Sequence, residues 1–398
     1  MSELLSIVLN SVQQAKAAWC RYITGNDAGT TGSHQAGFYV PKCASSLLFE
    51  VPGKKGENLE KDVTIKWQDD FVTHSKMKYY GQGSRNEYRI TRFGKAFPFL
   101  HDENVGDLLV IAKYTEEDYA GFVLSSDEDI DGFLSYFNLS PTQTNHLIDL
   151  SSNVDANDTL VRLLNNFIAK FSDFPETRQM SKGAMDCYND AYRISKGNLH
   201  TRPDEILMNW IETEFNLFKL FEGKIYSELL VKPFSSVDEF VKKANEVLNR
   251  RKSRAGKSLE HHLANIFTAN NLIFEEQVVT EDNKKPDFVF PNGKCYHNLL
   301  FPTEDLIVLG VKTSCKDRWR QILNEANRVE DKYLFTLQQG ISRNQLNEMQ
   351  DSKVHLVVPR QFVYTFPKEH QKNIKTLLDF ILFVKETQSH TPKHFLVG

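Results

Sequence analysis

Two short apolar runs, each carrying one polar residue, constrain the fold of this chain more than any other feature. The first is KKPDFVF, in which Asp287 follows a proline, and the second is LIVLGVKT, which contains Lys312. Their β-branched and aromatic residues are typical of buried strands. The next segment, DRWRQILNEANRV, has apolar residues at helical spacing and predicts a helix to about Val329 that packs on the sheet. The pattern therefore predicts an α/β arrangement that brings an aspartate and a lysine together.

This pair of residue types suits the hydrolysis of a phosphodiester. A carboxylate is a hard oxygen ligand for Mg²⁺, and a lysine beside it can hold the scissile phosphate or orient the attacking water. Most nucleases of this broad type carry a second acid two residues before the lysine, where this chain has Gly310. On the predicted helix, Glu325 lies outside the apolar stripe, so it can turn towards the metal. We therefore predict Asp287 and Glu325 as the metal ligands.

The segments around these residues resemble a known family. KKPDFVF, CYHNLLFP, VKTSCKDRWRQILNEA and RRKSRAGKSLEHHL are similar to the catalytic domain of the EcoRII restriction endonucleases, within the PD-(D/E)xK superfamily. The resemblance extends from about residue 235 to the LVVP sequence ending at residue 359. It implies an αβββαβ core, Mg²⁺ as the cofactor, and a glutamate displaced to the helix after the strand. The catalytic residues that it implies are Asp287, Tyr296, Lys312, Lys316 and Glu325.

The first 150 or so residues have a different pattern of apolar residues and turns. Short β-rich segments such as ASSLLFEVP, VTIKWQ and DLLVIAKY alternate with turns containing Gly, Asn and Asp, as in an open barrel or sandwich. GNDAGTTGSHQAGFYVP and SRNEYRITRFG resemble the N-terminal effector-binding domain of the EcoRII family, a B3-like pseudobarrel that binds DNA. The sequence therefore predicts a β-rich DNA-binding domain before the catalytic one.

The RNEYR segment offers side chains that read base edges in a major groove. Arginine pairs with guanine, asparagine with adenine, and glutamate accepts from cytosine. The period-two spacing of Arg85, Glu87 and Arg89 would place these three on one face of a strand. The alternative is a charged edge strand, which deters aggregation. With the two residues that the resemblance adds, the predicted effector-binding set is Arg21, His34, Arg85, Asn86, Glu87 and Arg89.

A second DNA-reading segment follows the catalytic strand. In related enzymes the residues that match Lys316, Asp317 and Arg318 read the C:G pairs of a CC...GG site. Arg318 would donate to guanine, and Asp317 would accept from the cytosine amino group. Asp317 also stands where a helix N-cap is expected, and the two roles are compatible. Glu260, on the helix before the sheet, either approaches the site or is an ordinary surface acid.

These patterns predict two domains. The first is β-rich and spans residues 1–160, and the second is an α/β domain over residues 176–398 with a central mixed sheet flanked by helices. The resemblance implies a B3-like pseudobarrel for the first and a restriction-endonuclease-like fold for the second. A linker is predicted at residues 161–175, and ETRQMSKG is the expected flexible connection. The apolar helices between residues 204 and 247 are candidates for a dimer interface, because a palindromic site requires a two-fold protein.

Charge and cysteine content are compatible with this prediction. The net charge is −4, but DNA responds to local patches, and basic runs occur at RRKSRAGK and KDRWR. Each run is also what an ordinary solvated helix face looks like. No run of about 18 apolar residues predicts a membrane helix, and the N-terminus lacks the pattern of a signal peptide, so we expect a cytoplasmic protein. An odd number of cysteines, none in CxxC, argues against a disulfide framework.

The resemblance in both domains implies the function of a type IIE restriction endonuclease, in which a second copy of the site acts as an effector. Its partners would be double-stranded DNA at a CCWGG-like site, a second subunit, and a cognate cytosine methyltransferase as functional counterpart. The family varies at the central base pair. A DNA-binding regulator that has lost cleavage is an alternative that Gly310 favours, since a metal site without an acid can be inactive. A repair or methyl-directed nuclease would share the chemistry and differ in substrate.

Overall fold

The computed structural model describes residues 2–29, 37–94, 96–137, 139–140, 143–148, 158–392 and 395. Contacts divide the chain into two units. The first comprises Met1–Asn153, Gln338–Glu348 and Tyr364–Gln371, and the rest of the chain forms the second. The sequence predicted contiguous domains, whereas two late segments belong to the first unit. There, Gln338 Nε2 donates to the carbonyl oxygen of Gly106 at 2.7 Å.

The first unit is built on a seven-stranded sheet. Its strands lie in the order β1-β6-β7-β3-β4-β5-β2, and the neighbours are antiparallel except for β3 and β7. The predicted β-rich N-terminal domain is therefore confirmed. The strands are β1 Ala17–Tyr22, β2 Phe38–Val40, β3 Asn58–Trp67, β4 Val72–Tyr80, β5 Glu87–Thr91, β6 Leu108–Lys113 and β7 Asp118–Leu124, with helices α1 Glu3–Gln14 and α2 Asp127–Tyr136.

Alternating side chains place apolar residues on both faces of this sheet. Trp19 of β1 joins a cluster rich in aromatic residues that includes Phe38 and Trp67. Cys20, the next residue, joins a second cluster, to which α1 and α2 contribute. Because β1 and β2 are the two edges of the sheet and both supply the first cluster, the sheet curls around it. The period of two in the sequence thus encodes two buried layers.

The second unit contains a six-stranded mixed sheet of order β13-β12-β11-β10-β9-β8. Strands β10 to β13 are parallel, whereas β8 and β9 pair antiparallel. This confirms the predicted central mixed sheet. The strands are β8 Glu275–Glu276, β9 Phe288–Phe290, β10 Ile307–Lys312, β11 Lys332–Thr336, β12 Val354–Val358 and β13 Lys375–Thr376.

Helices are the main component of the chain that precedes this sheet, and others alternate with its strands. The helices after residue 157 are α3 Asp158–Ile168, α4 Thr177–Tyr192, α5 Lys196–Thr201, α6 Pro203–Val231, α7 Val237–Ala269, α8 Gly293–His297, α9 Arg343–Asp351, α10 Lys368–Gln371 and α11 Leu377–His390. In the described part of the chain, no helix has an apolar stretch long enough to span a membrane.

The predicted linker at 161–175 is wrong over half its length. Residues 161–168 belong to α3, where Leu164 and Ile168 are buried in a cluster with Phe218 and Phe221 of α6. The ETRQMSKG segment lies at the start of α4 rather than in a flexible connection. Apolar residues at helical spacing decide this outcome, because their burial favours a packed helix over an extended chain.

The helix predicted to reach Val329 is also shorter than expected. A 3₁₀ helix runs from Arg318 to Asn324, and Glu325 is extended, with φ −88° and ψ 138°. Ala326 then has a φ of +52°, which ends any helix. The apolar stripe is divided, because Ala326 and Val329 pack into a cluster with Tyr296 and Phe301. The chain must turn at Glu325 to reach that cluster.

Candidate active site

Asp287 and Lys312 meet where two antiparallel strands place them. Phe288 pairs with Leu309, so Asp287, one residue earlier, lies at the end of β10 that carries Lys312. Asp287 Oδ2 accepts from the backbone N–H of Val311 at 2.7 Å and from Lys312 Nζ at 3.4 Å. Its other oxygen accepts from Gln277 Nε2 at 3.1 Å. The structure thus brings together the predicted aspartate and lysine.

The position of the missing acid is filled by another side chain. A Cβ added to Gly310 would lie 2.7 Å from Cγ2 of Ile322 and 3.8 Å from Cδ1 of Leu334. Ile322 belongs to the 3₁₀ helix that follows β10, and it is 2% exposed. An acid at position 310 would therefore meet a buried, branched side chain. The glycine leaves room for this helix to pack against β10.

Glu325 returns a carboxylate to the site from the end of that 3₁₀ helix. Burial raises the pKa of Glu325 to about 7, with Lys312 lowering it and Asp287 raising it further. These two influences show that the three charged groups share one electrostatic environment. Oε2 of Glu325 is buried and has no hydrogen-bond partner. A buried carboxylate oxygen without a donor is costly unless a cation or proton satisfies it.

The donor set fits a hard divalent cation. Asp287 and Glu325 supply carboxylate oxygens, and the unsatisfied oxygen of Glu325 is the atom that a cation would complete. Within the described residues, no group of three His, Cys, Asp or Glu side chains has the arrangement of a metal site. The two carboxylates would therefore need oxygens from water or from a substrate, as Mg²⁺ commonly does.

Glu260 approaches this site and is not an ordinary surface acid. It lies on α7, its side chain is 17% exposed, and its Oε2 pairs with Lys257 Nζ at 2.6 Å. Burial raises the pKa of Glu260, although its bond to Lys257 opposes the shift, and Asp287 raises it further. Lys312 also acts on it, in the lowering direction. A third acid thus adds to the negative charge around Asp287.

Tyr296 lies beside this site rather than in it. It belongs to α8 and is 2% exposed. Its hydroxyl donates to the carboxylate of Glu281, with distances of 2.8 and 2.7 Å to the two oxygens. In the described residues, none of its hydrogen bonds goes to Asp287, Lys312 or Glu325. The hydroxyl of this predicted catalytic residue is therefore bonded to Glu281 and to the backbone N–H of Arg328.

The predicted base-reading segment follows directly on the catalytic strand. Lys316 is partly buried, and burial lowers its pKa to about 8, against the opposing effect of Asp317. Asp317 precedes the 3₁₀ helix but makes no capping hydrogen bond to it. The predicted N-cap interaction is therefore absent. Arg318 is the first residue of the 3₁₀ helix, and Arg320 lies over the ring of Trp319 at 4.6 Å.

The basic run RRKSRAGK is not a continuous exposed patch. Arg254 is 7% exposed and its guanidinium lies about 5 Å from the rings of Phe215 and Phe218. Arg251 pairs with Glu222 at 2.8 Å, and Lys257 pairs with Glu260. Much of the charge in this run is therefore engaged by other side chains of the second unit, so the run is neither a continuous basic patch nor a fully solvated helix face.

Three of the predicted effector-binding residues surround one cavity in the first unit. This cavity has a volume of about 460 Å³, and Arg21, Tyr39, Glu87 and Arg89 are among the residues that line it. Glu87 and Arg89 lie on β5 and their side chains are 3.4 Å apart. Arg21 is buried, pairs with Asp27 at 2.9 Å, and donates to the Tyr39 carbonyl at 2.6 Å. Arg21 therefore also supports the wall of the cavity.

The other predicted members of this set are placed differently. Arg85 precedes β5 in a turn, so the expected three-residue face of one strand holds only for Glu87 and Arg89. The Arg85 guanidinium lies 5.4 Å from the ring of Tyr80, and Asn86 Oδ1 accepts from the Tyr79 hydroxyl at 3.0 Å. His34 lies outside the described residues.

Two site residues were missed by sequence reasoning. Gln277 holds the second oxygen of Asp287, and Glu281 binds the hydroxyl of Tyr296. Both lie in the connection between α7 and β9, and Gln277 has a φ of +55°. Only the path of this connection brings them to their partners. A Gln or Glu in a polar loop carries no sequence signal of such a role.

The raised pKa of Glu325 leads to a pH-dependent prediction. Its value of about 7 in the folded protein exceeds the ordinary value of 4.5, so the protonated group is favoured by folding. Protonated Glu325 therefore adds no cost to folding below about pH 4.5, and the folded protein loses stability as the pH rises from there through 7 and the group becomes charged. We expect the free energy of unfolding of the cation-free wild-type protein, measured with urea, to fall from pH 5 to pH 8, and that of Glu325→Gln to fall less. Equal pH profiles of stability for the wild type and Glu325→Gln would contradict this prediction.

The same raised pKa predicts a pH-dependent affinity for the cation. The apparent affinity of the wild-type protein for Mg²⁺ should rise about tenfold per pH unit up to pH 7, because Glu325 must lose its proton to bind the cation.

Comparisons with known proteins agree across both units. A family model described as the EcoRII C-terminal domain matches residues 218–381, and one described as the N-terminal domain of restriction endonuclease EcoRII matches residues 12–142. The type II restriction enzyme EcoRII of Escherichia coli is 35% identical over 399 aligned residues, which cover 91% of this chain and 92% of that enzyme.

Solved structures with weaker similarity include two DNA complexes. Metal-depleted Ecl18kI in complex with uncleaved, modified DNA is 18% identical, with a TM-score of 0.46, over 57% of this chain and 84% of that one. The complex of restriction endonuclease PspGI with substrate DNA is 16% identical, with a TM-score of 0.44, over 54% of this chain and 94% of that one.

Proposed function

This chain belongs to the EcoRII family of restriction endonucleases, and we propose on that premise that it is a type II restriction endonuclease. It would hydrolyse phosphodiester bonds in double-stranded DNA at a CCWGG-like site, with Mg²⁺ as cofactor. The observation that carries the proposal is the pairing of Lys312 with Asp287 at the end of β10, together with the buried carboxylate of Glu325, whose Oε2 has no hydrogen-bond partner. A carboxylate pair beside a lysine is the arrangement that metal-assisted phosphodiester hydrolysis requires.

Each of the three side chains has a distinct task in this proposal. Asp287 and Glu325 would hold Mg²⁺, which supplies charge neutralisation at the phosphate and lowers the pKa of a bound water. Lys312 would donate to the scissile phosphate, since its ammonium already lies 3.4 Å from Asp287. Backbone and side-chain donors fix Asp287 before any substrate arrives. Such a fixed carboxylate needs little reorganisation on binding.

The target sequence would be read by residues that follow β10, the strand that carries Lys312. Lys316, Asp317 and Arg318 come within six residues of Lys312, so a base edge and the scissile phosphate can be contacted together. Arginine donates to guanine and aspartate accepts from the cytosine amino group, which fits C:G pairs. Methylation of the cytosine by a cognate methyltransferase would protect the host DNA. Such protection would also distinguish restriction from a methyl-directed nuclease.

The first unit would bind a second copy of the site as effector. Arg21, Glu87 and Arg89 line one cavity there, and Arg85 lies before β5 in the same segment. In this proposal the effector-binding domain spans residues 1–160 and the catalytic domain residues 176–398, except that residues 338–348 and 364–371 belong to the first unit. Helix α3 folds with the catalytic domain because it packs on α6. By the resemblance, the N-terminal domain inhibits cleavage until effector DNA binds.

Digestion of defined plasmids tests the proposed function. We expect Mg²⁺-dependent cleavage at CCWGG, with two-site plasmids cut at least about tenfold faster than one-site plasmids, a coupling of the usual allosteric size. A chain beginning at Asp158, which keeps α3, should cut both plasmids at similar rates. Sequencing of the ends identifies the site and the scissile bond. Absence of Mg²⁺-dependent cleavage would contradict the nuclease proposal, and a truncated chain that cuts one-site DNA no faster would contradict the inhibition.

A homodimer is proposed because a palindromic site requires two equivalent readers. The end of α6 and the start of α7 expose large apolar residues that a second subunit would cover. Substitution of Phe240 by glutamate should convert a dimer into a monomer in sedimentation experiments, whereas Glu304→Gln, at an exposed position of a short 3₁₀ helix, should not. A dimer that survives the Phe240 substitution would place the interface elsewhere. The exposed residues are Leu230 (79%), Val231 (81%), Val237 (76%), Phe240 (53%) and Val241 (46%).

We further propose that the protein acts in the cytoplasm, where its DNA substrate would be encountered. Each of the five cysteines is a free thiol in the described structure, and four of them are buried. Free, buried thiols are typical of proteins in a reducing compartment.

A further inference from the structure

We propose that Tyr296 and Glu281 form a clamp that positions Glu325 for the divalent cation, and that neither residue touches the reacting atoms. This inference rests on the proposed function, because it concerns the cation that the nuclease would use. It assigns a role to Glu281, and it changes the role of Tyr296 from a catalytic residue to a positioning residue.

Glu281 lies in the connection between β8 and β9, and Tyr296 lies on α8, directly after β9. The Tyr296 hydroxyl donates to the carboxylate of Glu281, at 2.8 Å from Oε1 and 2.7 Å from Oε2. Burial alone would raise the pKa of Glu281, but the Tyr296 hydroxyl and backbone N–H groups outweigh it and lower the pKa. The pair is therefore a charge-assisted hydrogen bond, which is stronger and more directional than a neutral one.

The clamp continues into the segment that follows Glu325. Glu281 Oε2 accepts from the backbone N–H of Asn327 at 3.1 Å. The hydroxyl of Tyr296 accepts from the backbone N–H of Arg328 at 3.4 Å. The Arg328 guanidinium in turn donates to the backbone carbonyl oxygens of Cys295, Tyr296 and Phe301. Residues 327 and 328 are thus fixed to α8 and to Glu281 by both backbone and side chain.

This anchoring matters because no helix or strand holds the backbone at Glu325. Glu325 lies beyond the end of the 3₁₀ helix, and Ala326 adopts a φ of +52°, a left-handed conformation that is unfavourable for a residue with a Cβ. Ala326 is fully buried in the cluster that contains Tyr296. The clamp two residues further on holds this strained turn. It therefore determines where the carboxylate of Glu325 points.

The structure also argues against a direct catalytic role for Tyr296. The hydroxyl is committed to Glu281 and to Arg328, and burial followed by the Glu281 bond raises its pKa, so it is a poor acid. Neither Asp287 nor Lys312 shares a hydrogen bond with it among the described residues. A loss of activity on its removal would then act through Glu325.

The experiment compares Tyr296→Phe, Glu281→Ala and Glu281→Gln with the exposed control Glu304→Gln. Ca²⁺ binding to the complex with a CCWGG duplex is measured by calorimetry, and Mg²⁺ dependence of single-turnover cleavage is measured in parallel. We expect Tyr296→Phe and Glu281→Ala to weaken Ca²⁺ binding and to raise the half-saturating Mg²⁺ concentration by about 10-fold to 100-fold, as is usual when a residue that orients a metal ligand is removed. Saturating Mg²⁺ should restore most of the cleavage rate. Glu281→Gln should be less affected, because its amide oxygen still accepts one hydrogen bond.

Two outcomes would overturn the clamp. The first is unchanged cation affinity in both Tyr296→Phe and Glu281→Ala, with thermal unfolding like that of the control. The second is a Tyr296→Phe protein with normal cation affinity and a rate loss that Mg²⁺ does not restore, which would make Tyr296 catalytic. A wild-type protein that binds no cation and cleaves no DNA would instead overturn the proposed function together with the clamp. The wild-type measurements thus separate the two failures.

Discussion

Replacement of Asp287 by asparagine is expected to abolish DNA cleavage and to leave sequence-specific binding intact. Asparagine keeps the size of the side chain and can still accept from the backbone N–H of Val311, so the fold should persist. It removes the negative charge that would hold the cation, and it places an amide where Lys312 now finds a carboxylate. We expect the cleavage rate to fall about 10³-fold or more. This is larger than the roughly 10-fold to 100-fold loss of activity or metal affinity that follows removal of a residue that only orients a metal ligand.

The measurements are single-turnover cleavage of a CCWGG duplex with Mg²⁺ and duplex binding without it. Asp351→Asn, at an exposed position on α9, is the matched control and should cleave like the wild type. Binding by Asp287→Asn should be equal or tighter, because one negative charge near a phosphate has been removed. Cleavage within tenfold of the wild-type rate would exclude Asp287 as a ligand. A wild-type protein that binds the duplex as Asp287→Asn does, without cutting it, would favour the alternative of a DNA-binding regulator.

Substitution of Gly310 is expected to destabilise the protein rather than to restore the usual acid. The Cβ of alanine would lie 2.7 Å from Cγ2 of Ile322, and a β-branched side chain cannot turn away freely. Overpacking of this kind costs about 1–3 kcal/mol. Aspartate at 310 would add the cost of a buried carboxylate. Gly310→Asp should therefore unfold at lower urea concentration than Gly310→Ala, and it should not rescue the cleavage lost in Glu325→Gln.

The matched control is Gly223→Ala. Gly223 is an exposed helical position in α6, where an added Cβ meets no atom within 4 Å. Alanine there should stabilise the helix by about 0.5–1 kcal/mol, opposite in sign to the effect at Gly310. Recovery of cleavage in the combined Gly310→Asp and Glu325→Gln protein would show that the site accepts an acid from the strand. The packing of Ile322 would then not explain the displaced glutamate.

Much of the fold could be predicted because it depends on local pattern. The alternating residues of β1 and β6 specify two buried layers in the first unit. The apolar runs around Asp287 and Lys312 form β9 and β10, and their antiparallel register follows from the need to bury Phe288 and Leu309 on the same sheet. Two of the three central site residues are attached to these strands. Their meeting was therefore predictable from sequence.

Other features depend on contacts between residues that are far apart in sequence. The 161–175 segment was predicted as a linker, although Leu164 and Ile168 are buried with residues of α6, some 50 positions later. Glu325 was predicted on a helix, but the chain turns before it because Ala326 packs with Tyr296. Arg254 belongs to the basic run RRKSRAGK, yet it is 7% exposed and its guanidinium packs on the rings of Phe215 and Phe218. In each case a distant apolar partner decided the outcome.

The amino-acid sequence by itself determined the two kinds of architecture and the strands of the second sheet beside Asp287 and Lys312, and it predicts Glu325 as the displaced acid. Periodicity and residue chemistry are sufficient for these, since they act over a few neighbouring positions. Only the tertiary structure decided why Gly310 is a glycine and what holds the Glu325 segment. Ile322 fills the space beside β10, and Glu281 reaches Asn327 across 46 residues of chain. Close packing and hydrogen bonding between separate segments set these positions, and a linear pattern does not record them.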